Sequence, residues 1–299
     1  MTMNTLVLKE NPLVTVCITT YDRPRTLVQA LESVIKQTYK NLEILVMDDC
    51  SPDNKTMILM ASYLEKDKRI KYFKQVENKG VESNFNLALG KANGKYFLWL
   101  CDDDWISSSY IEECLKYKLE NPEYAAVCGK TKFYWEDNFA FYGEVINIEE
   151  NIGFKRVLVF NDQQLGTANS PNFGILEIEK VRNIRLKHIL GHDNVWMSNI
   201  AFLGKIKTLD FVYIHRRLGG SSESLKKSAL TFRHSYFEVK FPFIALWKNL
   251  FCDIAWESSV FNSLGGAKRL FLGFCLNTLI VVNLYKYVLR YKRVRSRFS

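Results

Sequence analysis

The chain has 299 residues, 47% of them hydrophobic, and a formal net charge of +9. That length accommodates one large α/β domain with additions, and the hydrophobic fraction is ordinary for a folded globular protein. The seven cysteines (17, 50, 101, 114, 128, 252 and 275) are odd in number and form no C-x-x-C pair, which speaks for reduced thiols in a cytosolic setting and against a disulfide frame or a zinc site. The excess charge lies in the tail. Ser258–Ser299 holds eight basic residues and no acidic one, so residues 1–257 carry 33 basic against 32 acidic side chains. Met1–Pro12 has no apolar stretch of signal-peptide length, and no export signal is expected.

The first half alternates strand and helix patterns. Val14–Thr19 reads as a β-branched strand, followed by a loop at Thr20–Pro24 and a helix over Thr26–Gln37. Leu42–Met47 is a second strand ending at Asp48-Asp49; the turn Cys50-Ser51-Pro52-Asp53 leads to a helix reaching about Asp67. Ile70–Lys74 is a short third strand, Asn78-Lys79-Gly80 a turn, and Ser83–Ala92 a helix with Gly94 as its C-cap. Tyr96–Leu100 is a fourth, buried strand, and Ser108–Glu120 the helix after it. Repeated βα units of this length imply an α/β fold with a mostly parallel sheet covered on both faces. From Val127 to about Asn151 the pattern turns aromatic and antiparallel. A short helix at Phe154–Phe160, a strand at Gly174–Ile178, a helix over Asn194–Leu203 and strands at Ile206–Leu209 and Phe211–His215 follow. Beyond Leu230 the chain reads as helical and aromatic.

Chemistry concentrates where the fourth strand stops. Cys101 gives way to Asp102-Asp103-Asp104, three carboxylates delivered side by side to a sheet edge. Adjacent carboxylates raise one another's pKa unless a cation sits among them, and a hard divalent ion that also binds phosphate meets that need. An acidic helix cap is the plainer alternative, because Ser107-Ser108-Ser109 and a helix come next. The second strand also ends in acids, and carboxyl ends of parallel strands share one side of a sheet, where open α/β sheets bind ligands. The first βα loop lacks G-x-G-x-x-G, and no G-x-x-x-x-G-K-[ST] is present, which excludes a dinucleotide fingerprint and a P-loop. No basic groove in the body suggests nucleic acid.

Val14 to Arg23, Leu31-Glu32-Ser33-Val34-Ile35-Lys36-Gln37-Thr38-Tyr39, Glu43 to Asp53, Asn78-Lys79-Gly80 with Asn86, Gly94-Lys95-Tyr96 and Cys101-Asp102-Asp103-Asp104 occur in the order seen in family 2 glycosyltransferases, which the chain resembles over residues 13–120 and more weakly over 174–222. The resemblance implies a GT-A fold and a nucleotide-diphospho-sugar donor, usually with inversion at the anomeric carbon. By position it implies that Thr19, Tyr21 and Asp49 border the nucleoside, Asp49 accepting a hydrogen bond from the base. It puts Asp102 near the ribose or sugar, and Asp103 on the Mn2+ or Mg2+ that bridges the diphosphate, with Asp102 and His215 as further metal candidates. Cys101 stands where the family's D-x-D-D pattern often has its first Asp, which weakens the ribose contact. The metal supplies charge stabilisation to the leaving diphosphate, and the acceptor hydroxyl needs a general base on the opposite face of the sugar. Asp193 takes the place of the family's E-D base motif, although His192 replaces the Glu; Asp193 reads equally as a helix cap. Arg216 and Arg217, in a loop running to Ser224, read either as guanidiniums closing over the diphosphate or as a solvated turn. His215 reads either as a ligand or as a packed strand residue. The Q-x-x-R-W signature of processive synthases is absent, which favours one sugar per acceptor.

Leu270–Tyr285 is apolar but interrupted by Asn277, Thr278 and Asn283, and is shorter than the roughly 20 residues of a membrane span. Six basic residues follow in Lys286–Arg297. This pattern fits an interfacial helix with a polybasic flank on an anionic membrane, or a helix that packs on the body or on a second subunit. The expected organisation is a catalytic domain over 1–228, with a nucleotide half at about 13–125 and an acceptor half at about 126–228. A helical, aromatic and basic extension over 229–299 completes it. The expected function is a metal-dependent, inverting, non-processive glycosyltransferase. It would act on a saccharide or lipid-linked saccharide acceptor in surface-polysaccharide assembly, in the cytoplasm at the inner face of the plasma membrane. Two alternatives stand beside it. One is a sugar-nucleotide-binding assembly partner without turnover. The other is a sugar nucleotidyltransferase, which would need a Gly-rich, Arg-containing loop that Thr20–Arg25 is not.

Overall fold

In the computed structural model, which describes residues 11–164, 170–218 and 225–279, β1 (Val14–Thr20) and β2 (Leu42–Asp48) are buried at every position. Burial at every position suits strands covered on both faces, as in a parallel sheet flanked by helices. β1 lies between β2 and β4 (Tyr96–Cys101), and β2 carries β3 (Ile70–Lys74), all in parallel register. The crossovers are α1 (Pro24–Ile35), α2 (Lys55–Lys66) and α3 (Val81–Lys91). α1 starts with proline at its first position, where no N–H is needed, and buries Leu27, Ala30, Leu31 and Val34, one stripe of a 3.6-residue period.

After β4 the sheet becomes antiparallel. β5 (Trp105–Ile106), α4 (Tyr110–Glu120), β6 (Tyr124–Trp135) and β7 (Asn138–Tyr142) follow in the chain, then β8 (Ile175–Glu177), the short α6 (Ile178–Val181) and β9 (Lys205–Arg217). Among the described residues the sheet has nine strands in the order β3-β2-β1-β4-β8-β6-β9-β5, with β7 paired to β6. β8 joins the parallel block to the antiparallel one, pairing antiparallel with both β4 and β6. The strands expected at Ile206–Leu209 and Phe211–His215 are a single strand, β9, that runs through exposed Asp210 and Phe211. The helix expected from Ser108 begins at Tyr110, because Trp105 and Ile106 pair with His215 and Ile214 of β9.

Gly94 is not the C-cap of α3, which ends at Lys91 with Ala92 as its cap. The Gly94 N–H donates to Thr15 Oγ1 at 2.9 Å, and the Thr15 hydroxyl donates to buried Glu43 at 2.7 Å. A Cβ at Gly94 would lie 2.6 Å from the Thr15 backbone nitrogen, so close approach of two chains, not helix termination, demands glycine here. The Gln37-Thr38-Tyr39 motif is also structural. Buried Gln37 donates to the Ser33 and Ser107 carbonyls and accepts from the Ile111 N–H, tying α1 to the turn before α4.

The described residues form two compact units. The first holds 11–147, 170–187 and 206–218, and so contains the sheet except for Lys205, the first residue of β9; the second holds 148–164, 188–205 and 225–279. The second unit is helical: α5 (Gly153–Gln164), α7 (His192–Leu203), α8 (Leu225–Thr231), α9 (Tyr236–Lys240), α10 (Pro242–Cys252) and a helix over 266–279. α5 is longer than the short helix expected at Phe154–Phe160. Val157, Val195, Leu250, Ile254, Phe261, Leu272 and Leu276 make its core. Arg156 donates to the carbonyls of Ala201 and Phe202 at 2.7 and 2.6 Å, satisfying the last turn of α7. No helix among the described residues is long and apolar enough to cross a membrane. Residues 280–299 of the expected interfacial segment lie outside the described residues, as do Gly219–Ser224 of the expected Arg-rich loop.

Gly94→Ala should destabilise the first unit by about 2 kcal/mol, since overpacking against backbone relaxes only partly. The urea midpoint checks this, and an unchanged midpoint would mean that the Thr15 contact is not tight.

Candidate active site

β1 pairs with β2 and β4 on its two sides, with Thr20 opposite Asp48 and Thr19 opposite Cys101. The two acidic strand ends therefore flank the end of β1 on one side of the sheet. Asp102 is buried and accepts hydrogen bonds from Thr20 Oγ1 at 2.8 Å and from the Tyr21 N–H. Arg23 Nη1 reaches Asp102 at 3.3 Å and Asp103 at 2.9 Å. Burial pushes the Asp102 carboxyl up to about 6 against the pull of Arg23. Asp104 is buried deeper still, and desolvation pushes it up to about 7 although Arg216 Nε lies 3.3 Å away. Three adjacent acids are thus held by two guanidiniums, one from the first βα loop and one from the end of β9.

The end of β2 uses its acids to shape loops. Asp48 accepts from the Ser51 N–H and hydroxyl at 2.8 and 2.7 Å and from Tyr72 at 2.5 Å. Ser51 in turn accepts from the Asp22 N–H at 2.9 Å. Asp22 and Cys50 both adopt positive φ (55° and 65°), so the loops after β1 and β2 turn sharply at adjoining strand ends. Asp49 accepts from Gln75 Nε2 and the Lys79 N–H through Oδ1, and from the Gly80 N–H through Oδ2. Burial raises its pKa while those amides oppose the shift. Gly80, at φ 87°, permits this approach and caps α3. Thr19 is buried at the strand end and Tyr21 is 46% exposed beside it.

Cys101, Asp103 and Asp104 each offer a ligand atom, all within 4.8 Å of one another. Two carboxylates suit Mg2+ or Mn2+, and a cation among these acids would offset the burial, and the repulsion from Asp103, that raise the pKa of Asp104. The residues therefore fit a divalent ion, with Asp103 the more open of the two acids. His215 is not part of this group. Its ring stacks on Trp105 with centroids 5.1 Å apart, Nδ1 lies 3.0 Å from the Tyr134 hydroxyl, and burial with Lys132 nearby lowers its pKa to about 4.

Arg216 and Arg217 end a strand and do not lie in a loop: β9 runs through Arg217, and the Leu218 N–H after it donates to the Tyr134 carbonyl of β6. Arg216 sits 4.8 Å over the Phe173 ring while contacting Asp104. Arg217 donates to Gln29 at 2.6 Å and to the Glu136 carbonyl at 2.9 Å. Asp193 belongs to the second unit, in the first turn of α7, with Gly191 at φ 76° as the N-cap residue; its Oδ1 lies 2.9 Å from the Asn194 N–H. Asp104, Arg23 and Thr20 were not singled out from the sequence. Asp104 was legible as the third acid of its triplet and Arg23 as part of the family-like Tyr21-Asp22-Arg23. The pairing of Thr20 and Arg23 with Asp102, and of Arg216 with Asp104, joins residues far apart in the chain and was not.

Arg216→Met should cost about 3 kcal/mol by leaving Asp104 buried without its counter-ion, and adding Asp104→Asn should recover most of it. Urea unfolding of the single and double variants tests the coupling; additive losses would separate the two residues. His215 has a folded pKa below its unfolded value near 6.5, so its unfolded form takes up protons first. The stability it contributes is complete above pH 6.5 and is lost as pH falls towards about 4. His215→Asn should flatten that part of the stability–pH curve, and an unaltered slope would place the acid sensitivity elsewhere.

Comparison with known proteins bears on the family and the fold. The family model "Glycosyl transferase family 2" matches residues 15–184. The glycosyltransferase GlyG of Streptococcus pneumoniae is 27% identical over 223 residues, covering 70% of this chain and 72% of that protein. An uncharacterized glycosyltransferase of Rickettsia felis is 42% identical over 108 residues, and one of Haemophilus influenzae 34% over 110. The matched part of this chain spans only 17% and 44% of the length of those two proteins. Among solved structures, S. aureus TarS 1-349 aligns with a TM-score of 0.56 at 18% identity, covering 81% of this chain and 72% of that one. Mannosyltransferase PcManGT from Pyrobaculum calidifontis, solved with GDP-Man and Mn2+, aligns with a TM-score of 0.53 at 17% identity, covering 92% and 88%. At these identities the structural likeness carries the fold, which is GT-A, and the family match carries the rest: this chain belongs to glycosyl transferase family 2.

Proposed function

We propose that the chain is a metal-dependent, inverting, non-processive glycosyltransferase. It moves a sugar from a nucleotide-diphospho-sugar to a saccharide acceptor, lipid-linked in surface-polysaccharide assembly. The carrying observation is the donor set of Cys101, Asp103 and Asp104 at the carboxyl end of β4, beside the loops that follow β1 and β2. A structure of TarS with UDP-GlcNAc and that of PcManGT with GDP-Man and Mn2+ support a nucleotide-sugar donor and a divalent ion for proteins of this fold.

In this reading Thr19 and Tyr21 border the nucleoside, and Asp49 accepts from the base through the lone pair that its loop contacts leave on Oδ2. Asp102, held by Thr20 and Arg23, faces the ribose or sugar. Asp103, with Asp104 and Cys101 beside it, holds Mn2+ or Mg2+. When bound, the ion supplies Lewis-acid stabilisation to the departing diphosphate. Arg216 keeps Asp104 ionisable at the site, while Arg23, half exposed on its loop, is free to turn towards incoming phosphate oxygens. Arg217, at the same strand end, contributes positive potential to the diphosphate. Asp193 takes the proton of the acceptor hydroxyl. His192, in place of the family's Glu, leaves Asp193 as the one carboxylate of that pair. The basic segment 270–299 brings the protein to an anionic membrane surface at the inner face of the plasma membrane.

Calorimetry with UDP, GDP, CDP and dTDP, each with and without Mn2+, tests the donor site. One nucleotide should bind in a metal-dependent way, and Asp103→Asn should abolish the metal dependence. Binding indifferent to both metal and mutation would remove Asp103 from this role. Asp193→Ala should lower turnover by about 10³-fold with donor binding unchanged. Unaltered turnover would make Asp193 a helix cap. Donor binding without any turnover in the wild type would favour an assembly partner.

A further inference from the structure

The second unit carries an unusual surface. Tyr236, Trp256, Phe271 and Phe274 are 77%, 64%, 62% and 57% exposed, and Phe241 and Ile244 are exposed with them. Single exposed apolar residues need no explanation, but a set of large aromatics does. The helix over 266–279 shows the anomaly most clearly. Leu272 and Leu276 on one side enter the core, while Phe271 and Phe274 on the other face outward, so the helix is apolar on both sides. A helix of that kind has a second apolar partner to satisfy.

Ring contacts join the exposed elements into one surface. Phe251 of α10 lies 5.3 Å from Phe274 and 5.2 Å from Trp256, and Trp247 lies 5.6 Å from Phe251. On α9, Phe237 and Phe241 are 5.6 Å apart, and Lys248 of α10 sits over Phe237. Lysines interleave the rings, with Lys240 Nζ at 5.5 Å from both Tyr236 and Phe241.

Charge identifies the occupant. Residues 225–279 contain seven Lys or Arg and three acids. Of the acids, Asp253 is buried and accepts from Asn199, and Glu238 accepts from the Leu190 N–H and Asn249, which leaves Glu257 as the exposed one. Large aromatics interleaved with lysines and nearly without exposed acids match the interface of an anionic bilayer, where rings sit at headgroup level and ammonium groups meet phosphate. No described helix is long and apolar enough to span, so the surface would lie on the membrane.

We infer that the face formed by α9, α10, Trp256 and the helix over 266–279 inserts its aromatic side chains into the headgroup layer of an anionic membrane. The inference rests on the membrane reading above but moves the contact from the basic tail to an apolar face. A purely electrostatic tail is released by salt, whereas inserted rings are not.

The test uses the full chain with phosphatidylcholine vesicles, with and without phosphatidylglycerol, followed by flotation and by quenching of tryptophan fluorescence with brominated acyl chains. Vesicles containing phosphatidylglycerol should bind the protein with a salt-resistant component, and brominated lipid should quench a signal that Trp256→Phe removes. The combined variant Tyr236→Ser, Phe271→Ser, Phe274→Ser should lower partitioning by about tenfold or more. Its binding of the nucleoside diphosphate should match wild type, which also reports that it folds. A second variant, Arg290→Gln, Arg293→Gln, Arg295→Gln, should lose the salt-sensitive component and keep the quenching. If that variant alone abolishes binding and Trp256 is never quenched, the face inference is overturned and the membrane reading stands. If wild type binds no vesicle, both fall, while nucleotide binding reports on the glycosyltransferase reading independently. A doubled mass in light scattering without lipid, with Trp256 shielded from acrylamide, would assign the face to a second copy of the chain and overturn the inference.

Discussion

Three consecutive carboxylates stand at the end of a buried strand, and the surrounding fold is arranged to keep them there. Asp102 and Asp104 are almost fully shielded from water, and that burial pushes their carboxyls up to about 6 and about 7. Two guanidiniums oppose that shift. Arg23 comes from the loop after β1, and Arg216 arrives on β9 more than a hundred residues later in the chain. Breaking the buried Arg216–Asp104 pair would leave an uncompensated charge, which is why that contact constrains the chain more than the half-exposed Arg23 does. The tiny strand β5 is the mechanical consequence. By pairing Trp105 with His215, it brings the next residue of β9, Arg216, beside the acid next to Trp105 in sequence, Asp104.

The same economy appears at the end of β2. Asp48 and Asp49 look like a second pair of ligands, yet their oxygens accept from Ser51, Tyr72, Gln75, Lys79 and Gly80. A carboxylate that accepts backbone N–H groups holds a loop in one shape, and the loop after β2 so held meets the loop after β1 through Ser51 and the Asp22 N–H. Preorganisation of this kind matters more for a binding site than one further contact, because the ordering cost is met on folding and not on binding. In the helical unit, Arg156 does comparable work by satisfying the carbonyls at the end of α7, while aromatic side chains of α9 and of the helix over 266–279 stay exposed.

The parallel block was readable from the sequence because local signals there agree. Val14–Thr20 and Leu42–Asp48 are rich in β-branched and apolar residues, Pro24 opens α1, and the expected bounds of Ile70–Lys74 match β3. Reading failed where a residue has two physical uses. Gly94 suggested a helix end, but its lack of a Cβ serves the contact with Thr15. Arg216 and Arg217, followed by glycines and serines, suggested a loop, but β9 runs through both and stays bonded to β6 as far as Leu218. His215 offered a ligand nitrogen, but the stack on Trp105 and the Tyr134 contact use the ring otherwise.

What the sequence determined by itself was the run of βα units, the acidic ends of β2 and β4, and the ordered motifs that mark the family. Each depends on residues near one another in the chain, where pattern and spacing carry the physical information. What only the tertiary structure decided was which cation meets which acid, that Asp49 holds a loop, and which apolar residues of the last helices remain uncovered. Those outcomes depend on burial and on partners far apart in sequence: Thr20 with Asp102, Arg216 with Asp104, Phe251 with Phe274. The desolvation that gives such pairs their energy exists only once the chain has closed around them.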